Sequence, residues 1–412
     1  MPNKDKVTYR ATRLLTGVPG EEIPGGAITV ENGRIVWVGS FDRAPKDVGR
    51  LVDLDDDSTL MPGLIDTHVH LAFDGSPHPV DHMMASSTIE RFATMLLSAR
   101  QLLSAGVTTA RDLGAPDLLD VDVKEAINSG KARGPRLVSV NAPITITGGH
   151  CFFMGGEAET VDGVRQAVRR ARRDGADHIK IMSTGGNMTP GTLPTEPQYS
   201  VEELKAIVDE AHHFGMKVAA HCHGVEGIRR AISAGVDSLE HFSFQRTDGT
   251  RRNDDELVAE AGRRGMYAAK TFCAALIPLL KQDPNAFEQN LTRREVDAGV
   301  KIVAGTDSGI DNVPHVEYVF GLEGMAAYGM TNDEVLYAAT ALAAESLGLE
   351  QVTGVLAPGM EADFLAVVGN PRDNLENLRN ILLVATKGDT YKPEFEAELV
   401  WNKEVDAPKY SP

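Results

Sequence analysis

Two textures of apolar and polar residues alternate along the chain. Up to about residue 62 the apolar positions come in short runs rich in Val, Ile and Thr, as in VTYRATRLLTG, GGAITVENGRIVWVG and LVDLDDDSTLMPG. Runs of this length, punctuated by Gly, Pro, Asn and Asp, predict short strands joined by turns. Asn32-Gly33 falls between two of them and predicts a hairpin.

From Gly63 the texture changes: apolar runs alternate with longer amphipathic ones. Strands are predicted at GLIDTHVH, VTTARDL, RLVSVNA, HIKIMS, KVAAHCH, VDSLEH, MYAAKTF and KIVAGTD. Helical periodicity fills the gaps. In SVEELKAIVDEAHHFG, Ser200 is placed to cap the helix with Glu203 three residues on, and Gly215 closes it. Eight strand–helix repeats over about 290 residues predict a parallel α/β arrangement, and their number points to a (β/α)8 TIM barrel. A doubly wound open sheet is the other fold with this alternation, but no G-x-G-x-x-G follows the first strand.

After about residue 350 the short-strand texture returns in GVLAPGMEADFLAVVG, ILLVATKGDTYK and AELVWNKE. The two β-rich ends are expected to pair into one small β-sandwich, residues 1–62 plus 355–412, with the barrel, residues 63–354, inserted between them.

Composition narrows the function. The 412 residues are 42% hydrophobic and 24% charged, as in an ordinary globular protein. The net charge of −18 argues against nucleic-acid binding, because such a surface repels phosphate backbones. The N-terminus lacks a secretory apolar segment, and no run of roughly 18 apolar residues predicts a membrane span. A cytoplasmic enzyme acting on a small molecule is the expectation. Cys151, Cys222 and Cys273 make no disulfide framework. Cys222 lies between two histidines; strand alternation makes it a small buried residue facing away from them.

Candidate chemistry gathers at the predicted strand ends. His68 and His70 end the first strand two residues apart, so both imidazoles leave on one face, a pairing that suits Zn2+. Alone, such a pair is also made by incidental histidines. His221 and His223 repeat the spacing on the fifth strand, His241 ends the sixth and Asp307 the eighth. Their common placement after separate apolar runs is hard to reach by chance, and active sites of barrels lie at that end. Lys180 ends the fourth strand. Its amine is either an ammonium at the rim or, near cations in a dry site, a neutral amine open to carbamylation by CO2.

These motifs together (PGLIDTHVH, the Lys in HIKIMSTGG, VAAHCHG, AGVDSLEHF, VAGTDSG and the tail GVLAPGMEADFLAVV) resemble the amidohydrolase superfamily over essentially the whole chain. With TTARDLG and ITITGGH, they are most similar to its binuclear group with a carboxylated lysine, which includes Xaa-Pro and Xaa-Arg dipeptidases and ochratoxin-type amidases. Imidazolonepropionase is a more distant relative. The resemblance implies two divalent metal ions, with Zn2+ expected, and a CO2-derived carbamate on Lys180. It implies that His68, His70 and Asp307 hold the more buried metal, that His221 and His241 hold the second, and that Lys180 bridges both together with a water or hydroxide. Asp307 then also takes the proton from that nucleophile. The resemblance also implies a homo-oligomer.

Substrate contacts are less determined. His223 is expected to hydrogen-bond the scissile carbonyl oxygen, or else to orient a ligand. His150, in the loop after strand three, meets the substrate or serves the loop. Arg111 ends strand two and meets a substrate carboxylate, or pairs with Asp112 or another acid. His178, two residues before Lys180, is expected to fill the core or to support a ligand from behind. The favoured activity is hydrolysis of the amide bond of a dipeptide or N-acyl amino acid. Hydrolysis of a carbamate, urea or ester uses the same nucleophile, whereas a catalytically silent scaffold would lack the metal-ligating residue types retained here.

Overall fold

The structure, a computed structural model, describes residues 6–54, 56–273, 276 and 291–395. The expected strand AELVWNKE and most of the loop KTFCAALIPLL after Cys273 lie outside the described residues.

Asn32-Gly33 makes the turn between antiparallel strands Gly26–Glu31 and Arg34–Ser40. Both turn residues have positive φ, 52° and 76°, as a twist-matched two-residue hairpin requires. This hairpin belongs to a four-stranded sheet ordered Arg34–Ser40, Gly26–Glu31, Val7–Arg10, Arg50–Asp53. A second, six-stranded sheet draws on both ends of the chain: Ser58–Pro62 pairs antiparallel with Phe364–Val368 and parallel with Arg13–Leu15. The two sheets share one apolar cluster that includes Tyr9, Leu14, Ile28, Leu60 and Phe364. At its centre the rings of Tyr9 and Phe364 lie 4.8 Å apart.

Between these ends run eight parallel strands with helices in the connections. Leu64–Val69, Val107–Asp112 and Arg136–Ser139 form one sheet; Ile179–Met182, Val218–Gly224, Ser238–Gln245, Tyr267–Ala269 and Lys301–Val303 form another, in sequence order. Parallel bridges Val69–Ser308 and Ile144–Ile181 lie at the two junctions between the sheets. Backbone hydrogen bonds cross both junctions, from Thr67 N to Ala304 O (2.9 Å) and from Ile144 N to Lys180 O (2.8 Å). Most residues of these strands are buried, as expected of strands covered on both faces. The helix Val201–His213 carries the predicted capping box between Ser200 and Glu203, and Gly215 follows it with φ 70°.

The strand limits differ from expectation where the site lies. Lys180 is the second residue of its strand, not the last. His241 stands inside a strand that runs on to Gln245. Asp307 lies beyond Val303, in a loop, with φ 61°. Among the described residues, no helix is long and apolar enough to cross a membrane.

Candidate metal centre

His68 is fully buried, and its Nδ1 lies 2.8 Å from Oε2 of Glu240. Burial alone would raise the Glu240 carboxyl, but Arg111 and His68 outweigh it and hold Glu240 ionised. A carboxylate only accepts, so the imidazole proton sits on Nδ1 and the lone pair on Nε2. That Nε2 has no hydrogen-bond partner and lies 3.2 Å from Oδ1 of Asp307. Nε2 of His70 is also 3.2 Å from the same oxygen. A lone pair and a carboxylate oxygen at this distance repel unless a cation lies between them. The donor set therefore fits a metal.

His221 and His241 form the second focus. Nε2 of His221 lies 3.2 Å from the carbonyl of Gly185 and so carries the proton, leaving Nδ1 as an acceptor 2.8 Å from Nε2 of His241. Nδ1 of His241 lies 3.0 Å from the Thr271 hydroxyl. When His241 donates to that hydroxyl, its Nε2 and Nδ1 of His221 present two lone pairs to one point. The rings of His68 and His241 are 5.1 Å apart, so the foci are adjacent. Among the described residues, two sets of side chains are arranged closely enough to hold an ion: His68, His241 and Asp307, and His221, His223 and His241.

Lys180 is 1% exposed and its Nζ has no hydrogen-bond partner among the described residues. Burial pushes the amine below the ordinary lysine value, against the pull of Glu240 and Asp307. A buried, unpartnered amine of lowered basicity is the form that CO2 adds to, so the residue also fits a carbamate ligand.

The protonation states agree with metal ligation, which needs neutral imidazoles and an ionised carboxylate. Burial, reinforced by neighbouring imidazoles, drives His221 and His241 well below the usual histidine range. Burial opposes ionisation of Asp307, and only positive charge beside it, on His68, His70 and His241 as imidazolium, holds the carboxyl well below its ordinary value; with the imidazoles neutral, a bound cation would have to supply that charge.

His223 and His150 flank these groups. The His223 ring stacks on His241 at 4.2 Å and its Nδ1 lies 2.8 Å from the Ser243 hydroxyl. It lines a pocket with Ser243, Arg251, Lys270, Thr271 and Phe272. The His150 ring lies 4.5 Å from that of His221, and burial, then the Lys180 charge, pushes it down to about 3. A Cβ at Gly186 would stand 2.4 Å from the His150 ring, which explains a glycine in the loop after Lys180. Cys222 is buried with its thiol 3.5 Å from the Glu240 carbonyl, and His178 is buried as core filling requires.

The expectation that Arg111 meets substrate is corrected. Its guanidinium is buried: Nε donates to the Thr67 carbonyl (2.7 Å), one terminal nitrogen to Ser238 (3.3 Å) and the other to Glu240 (2.8 Å). The acid it pairs with is Glu240, not Asp112. Sequence reasoning missed Glu240 altogether. The available signal was Ser238-x-Glu240, two polar residues on one face of an apolar strand, opposite a buried Arg in need of an anion.

The amidohydrolase family model matches residues 59–391. Ochratoxinase of Aspergillus niger is 31% identical, over 90% of this chain and 83% of its own length. Among solved structures, a Xaa-Pro dipeptidase with bound methionine is 30% identical with a TM-score of 0.84, over 94% of this chain and all of that one. The structure of A. niger ochratoxinase superposes with a TM-score of 0.79 at 28% identity, over 98% of this chain and 99% of that one. With the family's match spanning both foci and the strands that carry them, the chain belongs to the amidohydrolase family of hydrolases.

Proposed function

We propose that this hydrolase cleaves the amide bond of a dipeptide or N-acyl amino acid at a binuclear centre. The observation that carries the reading is the convergence of His68, His70 and Asp307 on one point and of His221 and His241 on its neighbour, with the unpartnered amine of Lys180 buried at the same centre. In this reading the eight parallel strands, with their bridges at both junctions, form one closed (β/α)8 barrel. The two mixed sheets form a β-sandwich from both chain ends, dividing the chain at residues 62/63 and 354/355.

His68, His70 and Asp307 would hold one cation and His221 and His241 the other, with Lys180, if carboxylated, as a ligand to both; Zn2+ is the proposed metal. When bound, two such cations lower the pKa of a water and polarise a carbonyl. Asp307, kept ionised, takes the proton of the attacking water and returns it to the leaving nitrogen. His223 can accept the Ser243 hydroxyl proton at Nδ1, which leaves Nε2–H to donate to the carbonyl oxygen as charge develops. His150, whose ring lies 4.5 Å from that of His221, would face the substrate. One similar structure is of a Xaa-Pro dipeptidase, an enzyme of dipeptides by its name, which supports an amide substrate.

The test is metal analysis joined to a panel of dipeptides and N-acyl amino acids. The expected result is two divalent metals per chain and turnover of part of the panel. Asp307→Asn should lower turnover by about 10²–10⁴ while most of the metal stays bound. A metal-loaded protein that leaves the whole panel intact, yet hydrolyses carbamates or ureas, would overturn the amide assignment.

A further inference from the structure

Two imidazoles leave the first strand, but the protein supports them unequally. Nδ1 of His70 is buried with no hydrogen-bond partner among the described residues. Nδ1 of His68 is held by Glu240, which no role described so far requires. Glu240 is fully buried, and three donors from three different strands surround it. Oε1 accepts from Arg111 (2.8 Å) and from the Ser238 hydroxyl (2.6 Å); Oε2 accepts from His68 (2.8 Å). Arg111 reaches further, to the carbonyl of Thr67, the residue before His68 (2.7 Å). The guanidinium therefore fixes both the backbone entering His68 and the carboxylate that orients its ring.

This arrangement contributes little as a fold device, because a buried ion pair is seldom more stable than apolar residues of the same volume. The carboxylate oxygen not engaged by Arg111 or Ser238 meets a ring nitrogen of His68 whose other nitrogen faces Asp307. A carboxylate behind a ligating imidazole fixes its tautomer and strengthens the opposite lone pair. Arg111 balances the carboxylate's charge and leaves it no other conformation.

We propose that Glu240, locked by Arg111 and Ser238, is the positioning residue that makes His68 rather than His70 the principal imidazole anchor of the buried metal. The inference rests on metal binding at this centre and goes beyond it by assigning the source of affinity.

The experiment measures Zn2+ affinity of the full-length protein by competition with a chromophoric chelator, independent of turnover. Glu240→Gln keeps the shape and an oxygen acceptor but removes the charge; it should weaken the tighter site about 10–100-fold. In a His68→Ala background the same change should add less than about twofold, because the path through His68 is gone. An equal loss in both backgrounds would show that Glu240 acts elsewhere and overturn the proposal. Glu240→Gln leaves a buried guanidinium without its carboxylate and risks misfolding, so Arg111→Met/Glu240→Gln removes the pair together. The double variant should show the same weakening, and wild-type affinity in it overturns the proposal. A wild-type protein that takes up no Zn2+ overturns this inference and the proposed function together. Zn2+ uptake by the wild type with unchanged affinity in both variants overturns this inference alone.

Discussion

Replacing Lys180 with Met keeps an unbranched side chain of similar length in the same buried strand and deletes only the amine. The wild-type amine is 1% exposed and makes no hydrogen bond among the described residues. Without metal it is a buried polar group with nothing to satisfy it, a burden of about 1–3 kcal/mol when neutral and more when protonated. Metal-free Lys180→Met should therefore be more stable than metal-free wild type by about 1–3 kcal/mol. Metal reverses the order. A ligand present at about 100 times its dissociation constant adds about 2.7 kcal/mol per site to the folded state. The variant has lost the bridging group and should forfeit most of that gain at one site or both. Equilibrium urea unfolding, followed by circular dichroism with EDTA and then with Zn2+ and bicarbonate, reads both arms. A variant less stable than wild type in EDTA would show that the amine has a stabilising partner. Equal stabilisation of both proteins by Zn2+ would show that Lys180 is no part of the site. Either result refutes the reasoning.

Two further predictions address His223 at the centre and the buried acid Glu317. His223→Phe keeps the stack on His241 but removes both ring nitrogens; kcat should fall about 10²–10³-fold with metal content unchanged, and loss of metal instead would make His223 a ligand. Glu317 is 3% exposed, neither carboxyl oxygen has a partner, and burial pushes the carboxyl up to about 7 against the pull of Arg379. Since the unfolded chain releases that proton near the ordinary glutamate value of 4.5, the folded state binds the extra proton between these limits and loses stability as pH rises through them. Glu317→Gln should thus stabilise by about 3 kcal/mol at pH 8 and little near pH 4.5 in urea titrations, and an equal effect at both pH values would refute the buried-acid account.

How far the site was legible in the sequence depended on the kind of signal each residue carried. His68 and His70 could be read because a regular strand places i and i+2 on one face, and their strand is regular to Val69. Lys180, His221, His241 and Asp307 could be read because each lies in or just after a separate apolar run. The Asn32-Gly33 turn and the Ser200 capping box could be read because each is settled by local backbone chemistry. Glu240 was passed over although Ser238-x-Glu240 obeys the same rule, because its neighbour His241 was already assigned to the centre. Alternation sends Glu240 and His241 to opposite faces, yet Glu240 touches His68 at 2.8 Å and the His241 ring stands 5.1 Å from the same imidazole. His241 has φ 69° and Phe242 φ 44°, so alternation fails at that step and adjacent residues both serve the centre. Arg111 was ambiguous for a related reason: which acid it meets is decided by the neighbouring strands, not by its own.

The failure of local rules is itself informative about the site. Non-glycine residues with positive φ are uncommon, since the left-handed region costs an L-residue on the order of 1–2 kcal/mol. Here they include His241, Phe242, Phe244, Thr271, Asp307 and Cys151. Of these, His241 and Asp307 are donors, Thr271 hydrogen-bonds His241, and Cys151 follows His150. Strain of this kind persists only where the surrounding packing over-determines the backbone, and six of the fourteen non-glycine residues with positive φ among the described residues lie in or beside the donor segments. Phe242 and Phe244, in the same strained segment, are fully buried with their rings 4.6 Å apart. The same strained steps that break the strand pattern after Glu240 bring His241 beside His68, so the departure from regularity and the two-metal geometry have one structural origin.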